Sequence, residues 1–238
     1  MREPATLEEL PRITEGVFFT TPERLPRGPH TLGREQVLQA QRERLIIAFT
    51  ELVAARGYPA VSVGDIATRS GVSRTAFYDC FDSKEACADA AYERFITHLL
   101  AELGRRLDGS ELDREVTAVL HAYFATLQQD LVVAKAFQLE MDAAGPIARA
   151  RRRGALLRFA ELIRYEQMRL ADTDPTINTD LPIQAYLAAV YAVRQLVSDA
   201  LDREPAPDLV GLVSRVTGWL SAGFRRPAAT PIPTTPED

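Results

Sequence analysis

Between residues 34 and 224 the apolar positions recur at the three-to-four spacing of helices, and no stretch alternates with the period of two that a half-buried strand needs. The pattern predicts an all-α fold. Leu45, Phe49 and Leu52 mark the buried face of a first helix from about Arg34 to Arg56, which Gly57 stops. Tyr58-Pro59-Ala60-Val61 reads as a linker. Ser62, three residues before Asp65, makes a capping-box pattern and opens a short helix of about Val63 to Arg69. Ser70-Gly71-Val72 is a turn. Ser73 then caps a third helix of about Arg74 to Cys80, and the Asp82–Glu85 pair opens a long helix from about Ser83 to Leu107. Later helices start near Ser110, Asp130, Pro146, Pro182 and Asp208, each at a cap residue or a proline suited to a first turn.

The ends of the chain read differently. Prolines at 4, 11, 22, 26 and 29 break any helix in residues 1–30, which are expected to form a flexible extension. Residues 225–238 (RRPAATPIPTTPED) are expected to be a disordered tail. Two folded units lie between, residues 31–82 and residues 83–224.

Composition narrows the class. The chain has 238 residues, 46% hydrophobic and 26% charged, which is ordinary for a soluble globular protein. Net charge is −5, so no global basic field advertises a nucleic-acid partner. Residues 24–80 nevertheless hold eight arginines against five acids, a local excess of +3 that suits a small phosphate-binding module. Cys80 and Cys87 are too few for a disulfide framework and fit a reducing cytoplasm. The uncharged runs Val116–Gln129 and Leu181–Val193 fall short of the roughly 20 residues needed to cross a bilayer. With Glu3 and no early apolar run, the N-terminus does not resemble a signal peptide.

The two short helices joined at Gly71 describe a helix-turn-helix. Ala67 is small where helix two must approach helix three, and Gly71 can take the positive φ of the turn. Val72, Phe77 and Phe81 are expected to point inward with Ile66, Leu45 and Phe49. That leaves Arg74, Thr75, Tyr78 and Asp79 on the outer face of the third helix. Arginine can hydrogen-bond guanine in a major groove, while Tyr and Thr hydroxyls can reach phosphates. On spacing alone, a plain helical hairpin with a polar face stays open beside this reading.

The run LIIAFTELVAARGY and the segment VSVGDIATRSGVSRTAFYDCFDSKEACADAAY resemble the N-terminal domain of the TetR (tetracycline-repressor-like) family. Asp65-Ile66-Ala67, Gly71-Val72-Ser73, Phe77-Tyr78, Phe81 and Ser83-Lys84-Glu85 carry the likeness, between Gln41 and Phe95. The resemblance implies that Ser62, Tyr78 and Lys84 contact phosphates and that Arg74 and Thr75 approach base edges, with Ser73 opening the recognition helix. Ala76 departs from the family's usual hydroxyl and Cys80 from a common histidine. Arg27, in Leu25-Pro26-Arg27-Gly28, is a candidate minor-groove arm.

For the larger unit the resemblance implies a small-molecule inducer pocket and a homodimer built by the last two helices. Phe95, Phe124, Phe137, Met141, Phe159, Tyr165 and Met168 are candidates to line the pocket; ordinary core packing is the other reading of the same residues. Tyr186, Val190, Val193, Val197, Gly211, Gly218 and Ala222 are candidates for the dimer interface. The run Arg149, Arg151, Arg152 and Arg153 reads as a solvated face. His98 and His121 read as surface or core polar residues, and no metal site is expected. The chain has no nucleophile elbow, HExxH, phosphate-cradling loop or GxGxxG, so no enzymatic activity and no cofactor are expected. The expected function is a DNA-binding transcriptional repressor, released from its operator by a small molecule and not associated with membranes. The competing reading is a helical dimer whose DNA binding has lapsed and which acts through protein contacts.

Overall fold

In the computed structural model, residues 10–23, 33–106 and 111–227 are described. Among them are nine α-helices: α1 (Arg34–Arg56), α2 (Val63–Ser70), α3 (Arg74–Cys80), α4 (Lys84–Gly104), α5 (Leu112–Gln129), α6 (Leu131–Gln138), α7 (Pro146–Ala171), α8 (Ile183–Arg203) and α9 (Val213–Gly223). The fold is all-α, with a three-helix N-terminal unit on a larger helical one.

Local chemistry sets these boundaries. Gly57, at φ 77°, ends α1, and its N–H returns to the Val53 carbonyl. Ser62 and Asp65 form the capping box of α2, and Ser73 and Ser83 accept from the backbone N–H groups of Ala76 and Ala86 to cap α3 and α4. Asp130 caps α6 through Val133 N–H. The entry to α9 differs from the expected start near Asp208. There Asp208 Oδ1 accepts from Gly211 N–H at 2.9 Å, and the chain makes a 3₁₀ turn over Val210–Leu212 before the α-helix begins.

The N-terminal extension is corrected by the structure. Leu10, Ile13, Phe18 and Phe19 are all buried, so residues 10–23 form a strap docked on the helices rather than a free leader. Proline forbids a helix here but does not forbid packing. Ile13 N–H donates to Glu51 of α1 at 3.2 Å, and Thr14 N–H donates to Asp130 at 2.8 Å. Phe18 packs on Phe95 and His98 of α4, with ring centroids 5.3 and 4.9 Å apart. The strap therefore ties α1 of the small unit to α4 and α6 of the large one.

The start of the C-terminal segment is also held. Arg226 N–H donates to the Thr176 carbonyl at 2.8 Å, and Arg225 lies 3.2 Å from Asp113 and 3.4 Å from Asp174. Residues 228–238 lie outside the described residues. The arginine run is less free than its sequence suggested: Arg151 of α7 pairs with Asp89 of α4 at 3.1 Å, and Arg152 pairs with Asp142.

Candidate nucleic-acid interface and ligand cavity

The small unit is organised from its core outward. Leu45, Phe49, Ile66, Phe77 and Phe81 are almost completely buried, and Val72 is buried with them. Gly71 adopts φ 68°, ψ 22°, the left-handed conformation that glycine takes without steric cost, and this turns the chain from α2 into α3. Arg42 stacks over Phe81 at 4.2 Å and donates to the Cys80 carbonyl at 2.8 Å, fixing the C-terminal end of α3 on α1.

With Phe77 turned inward, the other side of α3 is open. Arg74, Thr75, Tyr78 and Asp79 are exposed, and Tyr78 keeps 52% of its surface free. Ser62 and Ser73, at the N-termini of α2 and α3, are exposed beside them. Each accepts from a helix-end N–H; Ser62 Oγ also donates to Asp65, so of the two it is Ser73 that keeps a hydroxyl proton for a phosphate. Hydrogen bonds from Ser62 to its carboxylate hold Asp65 below the ordinary 3.8. The folded value is depressed, so this cap contributes stability above pH 3.8 and loses it as pH falls through the depressed value.

Lys84 is placed differently from the phosphate-facing role that the resemblance implies. Its ammonium donates to the Tyr58 and Val61 carbonyls at 3.2 and 2.9 Å and sits 4.0 Å over the Tyr58 ring. It clamps the α1–α2 linker. Tyr58 in turn donates to Glu85 at 2.9 Å, so linker and α4 are tied on both sides. Lys84→Ala is therefore expected to lower the melting temperature as well as any DNA affinity; an unchanged melting curve would contradict this placement. Arg27 lies outside the described residues.

The large unit holds a cavity lined by residues of α4, α5, α6, α7, α8 and α9. Of the seven candidate lining residues, Phe95, Phe137 and Phe159 form its wall. Phe124 and Met141 are buried elsewhere in the core, while Tyr165 and Met168 are exposed at 66% and 41%. Sequence reasoning missed the polar residues of this wall: Tyr92, Tyr123, Gln138, Gln167, Glu115 and Arg194. At Gln167 a buried side-chain oxygen without a partner is the signal, and it exists only in three dimensions. Burial pushes the Tyr92 phenol up to about 12.

The dimer candidates divide. Tyr186 stacks on Phe224 with centroids 5.4 Å apart and is fully buried, Val197 is buried too, and Val190 and Val193 line the cavity. These four serve the protomer's own interior. At Gly211 a Cβ would meet the carboxylate of exposed Asp208, Oδ2 at 2.5 Å. Gly218 and Ala222 are exposed on α9, Gly218 has open space where a Cβ would stand, and Trp219 beside it is 46% exposed. Packing of Gly218 against α8 of the same chain is thereby ruled out as its reason for being glycine.

A buried three-helix scaffold with an open third helix, joined to a helical unit around a cavity, defines a two-domain helix-turn-helix protein. This chain matches the family model of bacterial regulatory proteins, tetR family, over residues 46–91. It is 29% identical over 109 residues to the HTH-type transcriptional activator FasR of Mycolicibacterium smegmatis, a match covering 45% of this chain and 50% of that protein. The match thus spans about half the length of that relative. The fatty acid degradation regulator FadR from Bacillus halodurans shares the fold at TM-score 0.70 and 18% identity, over 83% of this chain and 100% of the other. FadR from Bacillus subtilis, solved in complex with stearoyl-CoA, superimposes at TM-score 0.68 and 19% identity, over 76% and 98%. Among the described residues, no helix is long and apolar enough to cross a membrane.

Proposed function

We propose that this chain binds a pseudo-palindromic DNA operator as a homodimer and represses transcription there, until an apolar-chain ligand in the cavity releases it. The observation that carries this reading is the outward set Arg74, Thr75 and Tyr78 on α3, held rigid by fully buried Phe77 beneath. Arg74 reads a base edge; Thr75, Tyr78 and Ser73 hold the backbone. Such a protein works where the DNA is, in the cytoplasm. The ligand reading is supported by the largely apolar cavity wall and by a fold neighbour solved with stearoyl-CoA.

Arg74→Ala is expected to weaken specific binding by about 1–3 kcal/mol and to relax selectivity at one base position. Titration against single-base operator variants checks this. Equal loss on every sequence would make Arg74 a backbone contact instead.

On this reading the second copy packs on the α9 face that carries Gly218, Trp219 and Ala222. Glycine inside a helix costs about 1 kcal/mol relative to alanine, and close approach of another helix is the usual compensation. Gly218→Leu is expected to leave the fold intact, since a side chain there meets nothing in the protomer. It should nevertheless shift the protein to monomer and weaken operator binding. Sedimentation showing an unperturbed dimer would move the interface elsewhere.

A further inference from the structure

The cavity has two polar ends of opposite character. At one, Arg194 of α8 is only 8% exposed, and its Nη2 donates to the Gln138 carbonyl at 2.7 Å. Among the described residues it has no carboxylate partner, although buried charges are ordinarily paired. At the other end, Gln167 of α7 is 2% exposed and donates its amide nitrogen to the carbonyls of Asn178 and Phe224, both at 3.0 Å. Those two bonds fix the amide's orientation. What remains is Oε1, buried and without a partner, and it can only accept. Glu115 and Glu166 belong to the same end; Arg169, outside the wall, lies 4.0 and 2.7 Å from them.

The two ends are well separated. Phe224, which holds Gln167 through its carbonyl, stacks on Tyr186. Arg194 lies eight residues further along α8, about 12 Å of helix. The wall between is apolar, with Val190, Val193, Phe159 and Ile163 among its residues.

We propose that the cavity reads its ligand at both ends: a linear apolar chain whose carboxylate is held by Arg194 and whose far end presents a hydroxyl to Gln167. This rests on the reading of the cavity as a ligand site and names the ligand's chemistry. Arg194 supplies charge-assisted hydrogen bonds to the carboxylate. The Gln167 end offers an acceptor rather than a donor, so it takes an O–H and would leave a second carboxylate facing another oxygen. The chain is therefore bound in one direction only.

Calorimetric titration of the full-length protein at neutral pH with three ten-carbon chains tests this. 10-Hydroxydecanoate is expected to bind about tenfold more tightly than decanoate, and decanedioate at least tenfold more weakly than decanoate. Gln167→Met should erase the preference for the hydroxy acid while leaving decanoate unchanged. Arg194→Met should weaken decanoate and the hydroxy acid alike. Should either variant fail to fold, the three wild-type affinities still decide. Decanedioate binding as tightly as the hydroxy acid overturns the two-ended reading but keeps the cavity as a ligand site. Absence of binding by all three overturns both.

Discussion

Phe77→Ala is expected to unfold the DNA-binding unit rather than merely disarm it. Phe77 is fully buried, its ring 5.8 Å from Phe81 and 5.4 Å from Tyr78, where it joins the core beneath α3 to the surface that faces outward. Truncating a buried Phe to Ala costs about 3–5 kcal/mol. A three-helix unit has little stability to absorb that loss. Far-UV circular dichroism and limited proteolysis should show lost helicity and new cleavage near α2 and α3, with DNA binding abolished. Native helicity together with lost binding would mean that Phe77 contacts DNA rather than the core.

The second large effect is expected at Glu51, where the strap meets the helix-turn-helix. Glu51 is buried; its Oε2 lies 2.8 Å from both Nε and Nη2 of Arg69 on α2, and its Oε1 accepts from Ile13 N–H at 3.2 Å. Breaking a buried ion pair by removing one partner costs about 3–5 kcal/mol, because the other charge loses its compensation in a medium that solvates it poorly. Glu51→Ala should lower stability by that order and make residues 10–23 sensitive to protease. Glu51→Gln keeps an acceptor for Ile13 and should spare the strap more than the ion pair. Equal protease resistance in wild type and Glu51→Ala would separate strap docking from this residue.

What the sequence made legible follows from where the information lies. The bounds of α1 and α3 are local: Gly57, Ser73 and the buried stripe Leu45, Phe49 and Leu52 write them directly. The outward set Arg74, Thr75 and Tyr78 follows once Phe77 and Phe81 are assigned inward. The strap is illegible in sequence because proline density signals only the absence of a helix, while Phe18 finds its partners, Phe95 and His98, far along the chain on α4. On α7, arginines at 149, 151, 152, 153, 158, 164 and 169 are spread so widely that no polar face stands out. Tyr165 and Met168 therefore read as cavity candidates in the sequence, and in the structure they face outward. Gln167, one residue from Met168 and about 100° round the helix, is the one that reaches the wall.

The most direct test of the DNA-binding account is selection of bound duplexes from a random library, followed by titration of the enriched sequence at several salt concentrations. The account predicts a pseudo-palindrome whose half-site centres lie about 34–36 Å apart or a multiple of that, bound with an affinity that falls steeply as salt rises, as counterion release requires. No enriched sequence, or an asymmetric single half-site held by a monomer, would contradict it.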